Sequence, residues 1–448
     1  MSYLQRLSAC GTARMAFAGV EGLEADRIDY ERFLEHLCNG VKVFNIEDDI
    51  VQLAVRLVAL ANDMDLDERK AMTLLALCSL ISVRQGNTHV PLDASQTYLA
   101  DMVKALLGSE GDGGYAQEPR ERILQKIEQV LQRPAGNELI GIAGEYKPLL
   151  KDGEALYLER MLRLEQVFCE RLREVARQDA IIFAENSVAQ NLQNLNTGGI
   201  CLTDEQKRAI TVALTHPVSI ISGGPGTGKT SIVVSIISVL QRMGVNVRDI
   251  VLAAPTGKAA QRMTESIRAG IGSGVSNDEH CIDEARTLHR LLRYSPSRDV
   301  FLHNETNRLA GRVVIVDEAS MVDLYLMERL MSALPEKALL ILIGDADQLP
   351  SVDAGAVLGE LMQFEQALPE GLAMGIVRLT KSFRMREDNH EGRQIYLLAD
   401  AIRRGAIHDI RNEDAPLLET CRDLNACTFS GAKFLDTSHA EGMLTSFC

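Results

Sequence analysis

The sequence predicts an α/β protein: a parallel sheet covered by helices on both faces, preceded by an all-helical amino-terminal domain. Three observations predict it. Beyond residue 200, short β-branched runs at 218–221, 250–254, 313–316 and 339–343 alternate with helical segments, the pattern of βαβ units. Each of those runs ends in a polar or glycine-rich turn, where ligands of such sheets sit. Before residue 200, apolar residues recur instead at three- and four-residue spacing.

Taken in order, the first helix is expected from residue 50, with Leu53, Ala54, Leu57, Leu60 and Ala61 on its inner face and Asp48 and Asp49 at its positive end. The run 72–81 is apolar almost all round and predicts a buried helix. GSEGDGG at 108–114 marks a loop or domain edge. A long helix is expected over 156–183, with Leu158, Met161, Leu162, Phe168 and Leu172 on its apolar side, and NTGG at 196–199 breaks the helical pattern. The resulting division is a helical amino-terminal domain of partner-interaction type at 1–110, a helical linker region at 111–195, a nucleotide-binding α/β domain at 196–375, and an atypical remainder at 376–448.

With 448 residues, 46% hydrophobic and 24% charged, the chain has room for about three globular domains and is not a disordered or fibrous sequence. Its net charge of −15, from 47 Lys plus Arg against 62 Asp plus Glu, provides no global basic field, so a polyanion site must be local. Nine cysteines, none spaced CxxC, suggest free thiols rather than a disulfide framework or zinc module. Lacking a signal-like start and any bilayer-length apolar run, the protein is expected to be cytoplasmic, with no membrane partner.

The first β run leads into SGGPGTGKTS, whose residues 223–230 match GxxxxGK[ST] between a strand and the helical run 232–240. Gly223, Gly224, Pro225, Gly226, Thr227 and Gly228 form a loop whose main-chain N–H groups turn toward phosphate oxygens. The following helix presents its positive end, Lys229 adds a point charge against the β and γ phosphates, and Thr230 offers a hydroxyl to Mg²⁺. The run 313–316 ends in Asp317 and Glu318. The first suits a metal's ligand shell, and the second can polarise the water that attacks a γ phosphate, although an acidic pair at a strand end is also a commonplace solvated feature. The fourth run leads to GDADQLP, in which Gln348 can sense a γ phosphate through its amide; Gly, Asp and Pro fit an ordinary turn equally well.

In order, GGPGTGKT at 223–230, APTGKAA at 254–260, TLHRLL at 287–292, VDEASMVD at 316–323, GDADQLPSVDAGAVL at 344–358 and LTKSFR at 379–384 resemble the motif set of superfamily-one DNA helicases, and within them the RecD branch, the alpha subunit of exodeoxyribonuclease V and its stand-alone relatives. The resemblance is firm over about 196–410 and weaker in the helical region before it. It implies a RecA-like P-loop NTPase domain, ATP and Mg²⁺ as cofactors, and 5′ to 3′ ATP-dependent helicase or translocase activity in double-strand-break repair and recombination. The implied partners are single-stranded DNA or duplex DNA ends and the two larger exodeoxyribonuclease V subunits. Position by position, it implies adenine reading by Gln206, phosphate and metal binding by Lys229, Thr230 and Asp317, catalysis by Glu318, γ-phosphate sensing by Gln348, and an arginine from a second motor domain at Arg384. It places Thr256, Lys258, His289 and Arg290 along the single-strand track. From the residues alone, these and Arg293 suit phosphate contacts, while Lys and Arg on a helix are commonly just a solvated face.

The sequence departs from the family after Arg384. No counterpart of the last helicase motifs is found at 385–448, so the expectation is a chain matching the first two thirds or so of such a helicase, able to bind ATP–Mg²⁺ but deficient as a motor on its own. The alternative class is a non-motor scaffold whose nucleotide site stabilises the fold.

Overall fold

The computed structural model describes residues 24–61, 64–92, 97–108, 117–132, 137–177, 183–193, 202–271, 283–348, 351, 353–365, 372–381, 383, 401–402, 419–421 and 433–435. The chain forms two compact units. One comprises residues 1–173 with 321–332 and 350–357, the other 174–320 with 333–349 and 358–448.

The first unit is predominantly helical. It contains α1 (Glu24–Gly40), α2 (Asp49–Val58), α3 (Leu66–Arg84), α4 (Thr97–Leu107) and α5 (Gln117–Gln132). The expected buried run is the middle of α3, where Met72, Leu74, Leu75, Leu77 and Ile81 are all sealed from solvent. Asp65 caps this helix, accepting the Glu68 N–H at 2.7 Å. Lys70 lies in the same interior at 2% exposure and is neutralised by Asp29 at 2.5 Å, because a buried ammonium without a counter-charge would be costly.

Two expectations need correction here. Of the expected inner face, Ala54 and Ala61 are buried and Leu57 packs against the core, but Leu53 and Leu60 are exposed, and Ile50, Val51, Val55 and Val58 supply the rest of the buried face of α2. The region is also not all helical. Strands β1 (His89–Pro91), β2 (Ile140–Ile142), β3 (Leu149–Asp152) and β4 (Ala155–Leu158) form a sheet ordered β1-β4-β3-β2. The long helix accordingly starts after β4, as α6 (Glu159–Arg177), which buries Leu162, Phe168 and Leu172. Three- and four-residue strands are too short to display alternation. The glycine-rich 109–114 and the 196–199 break lie outside the described residues.

The second unit carries the predicted parallel sheet. After α7 (Glu185–Gln193) and α8 (Asp204–Thr215) come β5 (Val218–Gly223), α9 (Lys229–Arg242), β6 (Ile250–Ala254) and α10 (Gly257–Ile271). A short β7 (Arg286–Thr287), α11 (Leu288–Leu291) and the hairpin β8 (Tyr294–Ser295) and β9 (Val300–Phe301) follow. The chain then returns through β10 (Val313–Val316) and β11 (Leu339–Gly344) to β12 (Met374–Leu379). Sheet order is β12-β5-β11-β10-β6-β7, parallel throughout. From β5 the chain jumps to β6, works back through β10 and β11, and ends beyond β5 at β12, a RecA-like winding. Every residue of β5, β10 and β11 is buried, and α9 packs Ile232, Ile236, Ile237, Val239 and Leu240 into the same core.

That order separates β5 from β10 by one strand. Asp317 therefore does not lie at the tip of the strand next to the phosphate loop; β11 lies between them. Two strand spacings, roughly 10 Å, leave room for a phosphate and its ions between the Gly223 and Asp317 strand ends.

Candidate nucleotide-binding site

Every described residue of this site belongs to the second unit. The loop after β5 turns through Gly226 at φ +80° and Gly228 at φ +85° before α9 begins at Lys229. These left-handed conformations favour glycine. Thr227 closes the turn, its hydroxyl donating to the Gly224 carbonyl at 2.9 Å. The Lys229 ammonium donates to the carbonyls of Gly223 at 2.5 Å and Gly224 at 3.3 Å, which holds its charge over the loop. Thr230, the second residue of α9, is exposed.

Gln206 belongs to this loop in a way the motif alone does not reveal. Thr203 and Gln206 form a capping box at the start of α8: the Thr203 hydroxyl accepts the Gln206 N–H, and Gln206 Oε1 accepts the Thr203 N–H at 3.0 Å. Its Nε2 donates to the Thr227 carbonyl at 3.0 Å, and the residue is 4% exposed. The amide thus braces the phosphate loop against α8 while keeping one further donor and acceptor site. A Cβ at Gly228 would lie 2.3 Å from Gln206 Nε2. Gly228→Ala is accordingly expected to force this brace apart and add backbone strain of about 1–2 kcal/mol, lowering both the melting temperature and nucleotide affinity, as thermal shift with and without ATP would record.

The neighbouring Glu205 ties in the LTKSF segment. It accepts from the Thr380 hydroxyl at 2.5 Å, the Thr380 N–H at 3.2 Å and the Lys381 N–H at 3.3 Å, while the Phe383 N–H donates to the Gly226 carbonyl at 2.8 Å. Burial pushes the Glu205 carboxyl up, but these hydrogen bonds and the Lys381 charge together outweigh it and hold its pKa below the ordinary value. A lowered carboxylate pKa stabilises the fold above the unfolded pKa, and that contribution disappears as pH falls through the folded one. Glu205→Gln is therefore expected to cost about 1 kcal/mol at neutral pH and nothing at strongly acidic pH. Denaturant melts of both proteins across that range would show it. Arg384, one residue past this anchored segment, lies outside the described residues.

At the end of β10, the Asp317 N–H donates to the Ala253 carbonyl, and Asp317 Oδ1 accepts the Glu318 N–H, both at 2.9 Å. Glu318 sits at φ +52°, an uncommon left-handed conformation for glutamate and the kind of local strain that reactive positions retain. Burial, the largest influence, pushes the Asp317 carboxyl up. The adjacent Glu318 charge adds to this, and the Glu318 N–H and the Lys229 ammonium only partly offset it, leaving its pKa raised. A half-buried carboxylate held above its usual range is relieved by a cation, which fits a metal ligand. Among the described residues no group of three or more His, Cys, Asp or Glu side chains is placed to hold a metal. A divalent ion here would depend on Thr230, Asp317 and nucleotide phosphates, the manner in which Mg²⁺ is commonly held.

Beyond β11, Asp345 is 3% exposed and its Oδ1 accepts the Asp347 N–H at 3.1 Å, while Ser222 at the end of β5 accepts the Ala346 N–H at 3.0 Å. Arg378 on β12 holds Asp347 at 3.1 Å, so the turn carrying Gln348 is fastened from the adjacent β5 and from β12 beyond it. Gln348 is exposed, and its N–H donates to the Asp345 carbonyl. A Cβ at Gly344 would lie 2.9 Å from the Ser320 nitrogen, so glycine lets the 319–320 segment pass close to the β11 tip. The structure therefore brings the phosphate loop, Gln206, Asp317, Glu318 and the Gln348 turn to the carboxyl edge of one sheet. Sequence reasoning missed Ser222, Glu205 and Arg378, which hold these parts in place.

The residues expected along a single strand lie apart from the phosphate loop, at the start of α10 and on α11. Thr256 accepts the Ala259 N–H at 3.2 Å, in the manner of a helix cap, and Lys258 is exposed at the start of α10. His289 and Arg290 are exposed on α11, with the His289 ring 5.5 Å from Tyr294 and 6.0 Å from Phe301.

Comparison with known proteins adds sequence homology to this geometry. The family model described as AAA domain matches residues 206–354. The chain is 36% identical over 305 residues to the RecBCD enzyme subunit RecD of Haemophilus influenzae, covering 66% of this chain and 47% of that protein. It is 38% identical over 267 residues to RecD of Mycobacterium tuberculosis, covering 58% and 44%. Against the ATP-dependent RecD2 DNA helicase of Deinococcus radiodurans it is 27% identical over 394 residues, covering 85% and 48%. The chain thus spans about half the length of the curated relatives it matches. Over that half, the chain is similar in sequence to RecD subunits of the RecBCD enzyme and to the RecD2 helicase.

Proposed function

We propose that this chain carries the nucleotide-hydrolysing part of an ATP-dependent DNA helicase or translocase of RecD type. The observation that carries the proposal is the convergence of the phosphate loop, Asp317, Glu318 and the Gln348 turn at the ends of three strands of one sheet. The nitrogen-lined loop and Lys229 bind the phosphates, Thr230 and Asp317 hold Mg²⁺, and Gln206 meets the adenine edge with its spare donor and acceptor. Glu318 takes a proton from the attacking water while Gln348 orients that water or the γ phosphate. A bound metal, held by Thr230 and Asp317, would supply charge neutralisation for the phosphates. Thr256, Lys258, His289 and Arg290 face a DNA strand, and Arg384 completes the charge around the γ phosphate.

By homology with RecD subunits, the reading extends to a cytoplasmic protein acting on DNA ends in break repair and recombination, moving 5′ to 3′, with the two larger exodeoxyribonuclease V subunits engaged through residues 1–110. ATP hydrolysis measured with and without single-stranded DNA tests the motor reading. It requires stimulation by DNA that Lys229→Ala abolishes. A flat response from protein that binds ATP would favour a scaffold role instead.

A further inference from the structure

A groove of about 750 Å³ runs between α10 and the β7–α11 segment. Its floor is small and neutral, formed by Ala260, Thr264, Ala285 and Thr287. Thr264 fastens the two walls together, its hydroxyl donating to the Ala260 carbonyl and accepting the Ala285 N–H, both at 3.0 Å. Because β7 pairs with the end of β6, the groove, which Gly257 at the start of α10 also lines, lies at the carboxyl edge of the sheet.

Three arginines line it, Arg268, Arg286 and Arg290, the chemistry expected around a sugar–phosphate strand. Three carboxylates, Glu265, Asp283 and Glu284, match them one for one, so the groove carries no net charge of its own. Two of the three are matched in space as well as in number. Glu284 meets Arg268 at 2.6 Å and Asp283 meets Arg286 at 3.9 Å, whereas Arg290 has no ion-pair partner among the described residues. Both pairs are more than half exposed on each side, so each is worth little and is readily exchanged.

We propose that Asp283 and Glu284 act as an intramolecular stand-in for nucleic-acid phosphate, occupying Arg286 and Arg268 until a single strand displaces them. The proposal rests on the DNA-binding reading above. Carboxylate and phosphate oxygens compete for the same guanidinium groups, so the pairs pre-align the arginines and lower strand affinity, and Arg290 offers the first uncommitted contact. In a chain with a net charge of −15, such a seat keeps the groove closed to weak or incidental anions.

The test is fluorescence anisotropy of a labelled oligothymidylate with the wild-type chain and with D283N/E284Q, each at low and moderate salt. The double variant is expected to bind roughly two- to tenfold more tightly at low salt, with the gain shrinking as salt rises. E128Q/E170Q, which removes the same two charges from exposed positions of the first unit, should bind as the wild type does; an equal gain there would assign the effect to net charge and overturn the stand-in role. Equal or weaker binding by D283N/E284Q, with the wild type binding measurably, would overturn the stand-in role alone. Absence of strand binding by both proteins, while ATP binding persists, would overturn the DNA-binding reading and this proposal with it.

Discussion

Replacing Glu318 with glutamine is expected to slow single-turnover ATP hydrolysis about 10²- to 10⁴-fold, with nucleotide affinity nearly unchanged. The amide has the carboxylate's shape but cannot take a proton from water. The local frame should survive, because it is built from main-chain groups: the residue 318 N–H still donates to Asp317 Oδ1, and the strained φ of +52° is set by the β10 end rather than by the side chain. Affinity should even rise slightly, since removing the Glu318 charge lowers the repulsion felt by Asp317. Quench-flow with radiolabelled ATP separates the two quantities. Full-rate hydrolysis with intact binding would assign the base to another residue.

Lys229→Ala is expected to act earlier in the cycle. Its ammonium is held over the loop by the Gly223 and Gly224 carbonyls, where the amide N–H groups converge. A hydrogen bond to a charged phosphate is worth about 1.5–3 kcal/mol, so affinity should fall about 10- to 100-fold. A second effect follows from the Asp317 carboxyl, which Lys229 helps to keep ionised. Without that charge Asp317 rises further, and its loss of ionisation on acidification begins at higher pH. Mg²⁺-dependent nucleotide binding by Lys229→Ala should therefore decline earlier than wild-type binding as pH is lowered. A fluorescent-nucleotide titration at neutral and mildly acidic pH would reveal it.

Much of the second unit is legible in the sequence, because its strands are buried on both faces and so appear as continuous β-branched runs. The expected 218–221, 250–254, 313–316 and 339–343 are observed with extensions of at most two residues. What pattern could not supply was strand order. Nothing local to residues 313–318 tells that β11 will insert beside β5, because that depends on which crossovers pack. The small sheet of the first unit escaped because its strands are short, although Asp152–Gly153 is a hairpin signal and Gly153 takes φ +55° between β3 and β4. The brace that Gln206 forms is a different kind of miss. Thr203-x-x-Gln206 is a capping-box spacing visible in the sequence, but its tertiary bond to Thr227 spans 21 residues and exists only once α8 meets the loop. Of the groove's arginines only Arg290 was singled out from the sequence; Arg268, Arg286 and the carboxylates paired with them became apparent only in three dimensions.

Calorimetric titration of ATP into the folded chain, with Mg²⁺ and then with excess chelator, is the decisive measurement for a phosphate site built from loop N–H groups, Lys229 and Asp317. A single class of saturable heat is expected with Mg²⁺, weakened by the chelator and weakened again in Lys229→Ala. Folded protein giving no saturable heat, or the same heat with and without Lys229, would contradict it.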